Sequence, residues 1–161
     1  MKASKRLRVS TLVLTLFVFS ACATSVQDLV KSPVVELSGV QIVGLGFNSQ
    51  TFLLSFDISN PNSFGLPVRS VNYALKLDGQ AFASGQTASE FSVPANGASQ
   101  FAISVDLNLL QTAPQLLSIV RQSAREDVSY ELDGRLALDL PFVPAVGYRN
   151  TGSIRLSAGS L

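Results

Sequence analysis

The sequence predicts a mainly β, antiparallel sandwich of immunoglobulin or fibronectin type III kind, with about seven strands and one helix between late strands. Three observations lead there. Apolar and polar residues alternate over several segments after residue 33, clusters of Asn, Pro and Gly interrupt these segments at short intervals, and the period lengthens only once, near 109–124. Successive strand side chains face opposite ways, so alternation buries one face of a sheet and wets the other, as half-buried antiparallel sheets require. A chain of 161 residues suits one domain that buries roughly two-thirds of its unfolded surface. With 47% hydrophobic and 14% charged residues, it has the opposite balance to a disordered chain.

Residues 1–21 read as a signal peptide. Lys2, Lys5, Arg6 and Arg8 give a basic start, 9–19 is an 11-residue apolar run, and Ser20-Ala21 are small. Spanning a bilayer takes about 20 apolar residues, which this run does not supply. The only cysteine, Cys22, follows directly. Phe19-Ser20-Ala21-Cys22 resembles the lipobox of bacterial lipoproteins, with Phe19 where that pattern prefers Leu. The resemblance implies cleavage between Ala21 and Cys22 and attachment of fatty acyl chains, such as palmitate, to Cys22. Two alternatives stay open: an ordinary cleaved signal, which leaves a free thiol in an oxidising compartment, and an uncleaved anchor, which needs a longer run. Ala23 stands where Asp would imply retention at an inner membrane. In a Gram-negative cell the expected place is therefore the periplasmic face of the outer membrane. Residues 22–33 are polar and aperiodic, a lipidated tether ahead of a domain at 34–161.

From residue 22 onward there are eight basic and eleven acidic side chains, a net charge of −3, with no basic run. Phosphate neutralisation needs clustered Lys or Arg, so nucleic acid is not an expected partner.

The first strand is expected over 34–47. Val40 and Ile42 share a parity that Leu37 breaks, which predicts a bulge near Gly39. In 51–59, Phe52, Leu54, Phe56 and Ile58 take one face. Asn60-Pro61-Asn62-Ser63-Phe64-Gly65-Leu66-Pro67 reads as a linker: Asn60 can bond the backbone just downstream and the prolines cannot donate to a ladder. Val71, Tyr73, Leu75 and Leu77 then alternate up to Asp78-Gly79, a tight hairpin turn returning through 80–85. A weaker strand at 87–93 ends in Pro94-Ala95-Asn96-Gly97, and Phe101, Ile103, Val105 and Leu107 share a face of the next.

Leu109, Leu110, Ala113, Leu116, Leu117, Val120 and Ala124 recur at helical spacing behind the capping pattern Thr112-Ala113-Pro114-Gln115. Arg121 and Arg125 near the helix end read as a solvated face rather than a binding patch. Val128, Tyr130, Leu132, Leu136, Leu138 and Leu140 share parity across Gly134. This favours one bent strand over two strands turning at Asp133-Gly134. A last strand is expected over 148–157, with Ile154 and Leu156 inward.

Asn60-Pro61-Asn62, Leu66-Pro67-Val68, the segment 71–79, Ala83-Ser84-Gly85, Val93-Pro94-Ala95 and Tyr130-Glu131-Leu132-Asp133-Gly134 resemble, in this order, the late embryogenesis abundant type 2 family, also called the water-stress and hypersensitive-response (WHy) domain. The similarity runs over roughly 33–159 and includes the structural motif residues Asn60, Pro61, Asn62, Gly79, Gly85 and Gly134. It implies a fibronectin-like sandwich, no catalytic residues, and a part in desiccation and envelope stress protection, with bacterial members often exported as lipoproteins. The alternative function is a cell-envelope interaction module for assembly or transport. Expected partners are the membrane, through the N-terminal lipid, and client or envelope proteins.

The residues themselves offer little chemistry. There is no His, and Cys22 is spoken for, so no zinc, haem or iron–sulfur site and no Ser-His-Asp arrangement is expected. The nearest paired carboxylates are Glu126-Asp127 and Glu131/Asp133, the latter on the face opposite Tyr130 and Leu132. No cofactor is expected, and Tyr73 and Tyr130 have the parity of core residues.

Overall fold

The alternation in the sequence becomes two facing sheets. The structure is a computed structural model and describes residues 30–46, 49–108, 118, 119 and 126–158. Among these, nine strands appear: β1 (Val34–Leu45), β2 (Gln50–Ser59), β3 (Leu66–Leu77), β4 (Gln80–Thr87), β5 (Phe91–Val93), β6 (Ala98–Leu107), β7 (Val128–Leu138), β8 (Val146–Ile154) and β9 (Leu156–Ala158). Two are three-residue pieces, which leaves seven of ordinary length. One sheet has the order β6-β2-β1-β9, the other β4-β3-β7-β8 with β5 also paired to β3.

Phe52, Leu54, Phe56 and Ile58 are all fully buried and meet Val71, Leu75, Leu77, Leu132 and Leu136 of the opposite sheet in one core. Each such side chain stabilises the fold by about 1.5–3 kcal/mol relative to leaving it in water. Aromatic pairs fasten the layers at one margin. Phe101 of β6 stacks on Phe56 at 4.9 Å and on Phe91 of β5, in the other sheet, at 5.1 Å.

Bulges re-aim side chains where strict alternation would misplace them. The β1–β2 register slips between Leu37 and Gly39, so that Leu37 and Val40 both turn inward despite opposite parity. The β3–β4 register slips between Leu75 and Lys76, and both Phe82 and Ala83 are buried. There Phe82 meets Phe52 edge-on, with ring centroids 5.1 Å apart. β7 is a single strand through Gly134.

Several expectations need correction. The linker after β2 is shorter than expected, since β3 begins at Leu66 and Pro67 pairs with Ser92. Pro67 still contributes to the sheet margin, because its carbonyl accepts the Asp139 N–H at 2.8 Å. Thr87 belongs to β4 and the weak strand shrinks to Phe91–Val93. The expected last strand is two: β8 pairs with β7 in one sheet, then the chain crosses at Arg155 and β9 runs parallel to β1 in the other. The ladders are otherwise antiparallel. The helix expected near 112–125 lies outside the described residues except Ser118 and Ile119, which are helical, with Ile119 buried. Residues 1–29, with the expected signal, Ala21 and Cys22, also lie outside them. Among the described residues no helix is long and apolar enough to cross a membrane.

Candidate functional site

The chain enters β1, leaves β2, enters β3 and β6, and turns from β7 to β8 at one end of the sandwich. A buried polar knot holds that end together. Asn60 and Asn62 are the buried polar residues among those described, 2% and 4% exposed. Amides placed there need full bonding, because an unpaired buried polar group costs about 1–3 kcal/mol. Asn60 Oδ1 accepts the Asn62 backbone N–H at 2.9 Å, closing a turn within the crossover, and also the Asn62 Nδ2 at 2.9 Å. Asn60 Nδ2 donates to the carbonyls of Phe64 at 2.8 Å and Pro94 at 2.9 Å.

Asn62 faces the N-terminal lead-in. Its Oδ1 accepts the Lys31 N–H at 2.8 Å and its Nδ2 donates to the Lys31 carbonyl at 2.9 Å, so one side chain satisfies both backbone groups of Lys31 as a strand neighbour would. Main-chain bonds add to the knot: Asn60 N–H to the Gly97 carbonyl and Asn96 N–H to the Asn62 carbonyl, both 2.8 Å. Pro61 occupies the exposed position between the two amides. The docked chain thus reaches back at least to Lys31, into the span assigned to the tether.

Beside the knot, Val30 and Ser32 share an open hollow of about 380 Å³ with Arg135 and the 143–147 turn. The β7–β8 connection is tightened by the Val143 N–H bonding the Leu140 carbonyl at 3.3 Å. Pro141 and Phe142 occupy the middle of this turn, and Phe142 has φ +64° with its side chain 94% exposed.

The remaining motif glycines have steric reasons. Gly79 follows Asp78 in a turn where both have positive φ, 46° and 74°, the form of two-residue hairpin loop that matches strand twist. The Asp78 carboxylate accepts from the Ser129 hydroxyl at 2.8 Å, which ties this hairpin to the start of β7. Gly85 lies against the Tyr73 ring, and Gly134 leaves room for Tyr148. Gly152 similarly lies under Tyr130, so each tyrosine of the chain packs on a cross-strand glycine. Tyr130 donates to Asn150 Oδ1 at 2.7 Å. Burial first, then repulsion from Tyr73 and Asp133, raises the Tyr148 phenol far above its ordinary range.

Three of the four clustered carboxylates face cations. Glu131 bonds Lys76 at 3.2 Å, Asp133 pairs with Arg149, and Asp127 pairs with Arg155 at 3.1 Å. All three carboxylates are substantially exposed and committed to cations, with Arg149 held further toward its charged form by Asp133. Among the described residues no group of three potential ligands could hold a metal ion. Chemically, this end can fix loops and present them. Arg121 and Arg125 lie outside the described residues. Sequence reasoning missed Lys31, Asn150 and Phe142. Gly152 at the parity of Tyr148 was a usable signal for an aromatic neighbour; Lys31 carried none.

Residues 55–151 match the family model described as late embryogenesis abundant protein. A desiccation protectant protein Lea14 homolog of Glycine max is 27% identical over 114 residues, covering 69% of this chain and 71% of that protein. A desiccation-related protein of Craterostigma plantagineum is 27% identical over 71% of this chain and 74% of that one. Among solved structures, a protein of Arabidopsis thaliana in solution superposes with a TM-score of 0.58 at 21% identity, covering 82% of this chain and 86% of that one. This last likeness bears on the fold alone.

Proposed function

Because the chain belongs to the late embryogenesis abundant family, we propose that it is a non-enzymatic desiccation and stress protectant of the water-stress type, carried on the cell envelope by a lipid at Cys22. The observation that carries the protective part is the family match over 55–151, with relatives named as a desiccation protectant and as desiccation-related. The envelope part is supported by the basic start, the short apolar run and Phe19-Ser20-Ala21-Cys22. Several acyl chains, at about 0.8 kcal/mol per buried CH₂, would hold the protein firmly on a bilayer. If the cell is Gram-negative, Ala23 favours the periplasmic face of the outer membrane.

The outer sheet faces fit a role without bond-making. Asn72, Lys76, Glu131, Arg149, Thr151 and Ser153 present an amide, charges and hydroxyls outward from a closed core. Such a surface can replace water around a drying membrane or client protein without itself unfolding. The test is to dry an unrelated enzyme with the purified protein and with an equal mass of inert protein. Greater retained activity with this protein is expected, and equal loss in both would sink the protective reading. Recovery of a single stoichiometric envelope partner without any protection would replace it with an interaction module. Mass spectrometry checks the anchor: acyl mass on residue 22, absent in C22S.

A further inference from the structure

Exposed large apolar side chains are unevenly placed. Among the described residues they are Val34, Val43, Phe64 and Phe142, and three of them, all but Val43, lie at the end built around Asn60 and Asn62. Phe142 is the extreme case at 94% exposure. It sits third in the turn of Leu140, Pro141, Phe142 and Val143, with φ +64°. That is the position of a type II turn where glycine fits without strain and a bulky residue does not. A phenyl ring held there contributes nothing to the core and costs backbone strain, which an external apolar contact would offset.

The lead-in identifies what that contact is. Lys31 is docked by Asn62, and Val30, the first described residue, shares a hollow with the turn that follows Phe142. From Lys31 back to Cys22 are nine residues, an extended reach of at most about 30–32 Å. β3 runs twelve residues from this end to the opposite one, and such a strand is about 36–40 Å long. A lipid at Cys22 therefore cannot bring the far end, with Asp78-Gly79, against the bilayer. Of the two ends, only the near one is within reach. Charge there is mixed, with Arg69, Glu90 and Asp139 around a neighbouring hollow, so the attraction is apolar rather than directed to anionic headgroups.

We infer that the Phe142 turn, with Phe64 and Val34 at the same end, is the face seated on the lipid bilayer. The domain stands with its strands pointing away from the membrane and the Asp78-Gly79 hairpin outermost. This rests on the proposed lipid anchor at Cys22, and the test separates the two. The sequence has no Trp, so F142W and Q80W each create a single-indole reporter at exposed positions in the full-length protein purified from membranes. Each is reconstituted into phosphatidylcholine vesicles with and without brominated acyl chains. Bromine quenching at least twofold stronger for F142W than for Q80W, with a blue-shifted emission, is the expected result. Equal quenching in the two variants, whether strong or absent, overturns the inference. Mass spectrometry of the same preparations reads the acyl group at residue 22. Acylated protein without the contrast defeats the seating and leaves the anchor standing. Unacylated protein that still shows the contrast defeats the anchor and leaves the seating.

Discussion

The Tyr148 hydroxyl donates to the main-chain carbonyl of Asn72, two strands away, at 3.0 Å, and the ring reaches it by passing over Gly134. A Cβ at Gly134 would lie 2.2 Å from that carbonyl oxygen and 2.3 Å from the tyrosine hydroxyl. Aromatic cover of a strand glycine is a recognised way to fix register and curvature. G134A is therefore expected to lose about 2–3 kcal/mol in urea unfolding, as overpacking does. Y148F, which removes only the bond, should lose about 0.5–1.5 kcal/mol.

Alkaline pH should destabilise the domain through the same residues. Burial raises the phenols of Tyr73, Tyr130 and Tyr148 above the ordinary 10.0, opposed at Tyr130 by a bond from the Leu37 backbone. Above that value the unfolded chain releases these protons while the folded chain retains them. Stability is thus intact below the unfolded pKa and lost as pH climbs past it. Urea midpoints should fall above about pH 10, and fall less steeply in Y148F.

The Asn60–Asn62 knot predicts a graded series. N60A strands the carbonyls of Phe64 and Pro94 and the Asn62 N–H, a loss of about 2–4 kcal/mol for a buried network. N60D keeps an acceptor and loses the donor. Burial among carbonyls would raise the pKa of its carboxyl, so the variant should be least impaired below about pH 4 and worsen as pH rises. In N62A the Lys31 amide should lose its exchange protection first.

Exposed ion pairs should matter little. Lys76 and Glu131 are each about half exposed, so E131Q is expected to cost under ~1 kcal/mol, and less in high salt. A larger loss in thermal unfolding would mean that Glu131 has a role beyond this pair.

Local chemistry explains which parts were legible. Phe52 to Ile58 could be read because alternation and burial obey the same two-residue period. The bulge near Gly39 was visible as a parity conflict between Leu37 and Val40. The crossing at Arg155 was hidden, since Ile154 and Leu156 keep one parity while the chain changes sheet. Pro67 looked like linker because proline seldom sits inside a strand; its place beside three-residue β5 tolerates the missing donor. Asn60 could be recognised as a turn former, but its partners at Val93 and Pro94 and the grip of Asn62 on Lys31 span more than thirty residues. No short pattern encodes such distances.

The parallel pairing of β9 with β1 bears on how the protein is made. Val40 meets Leu156 in that ladder, although 116 positions separate them, so one flank of β1 stays open until residues 156–158 have been made. An open strand flank templates pairing with other molecules, and so slow a closure prolongs that hazard. Chains that lack residues 156–158, whether nascent or clipped, should accordingly be the forms that aggregate.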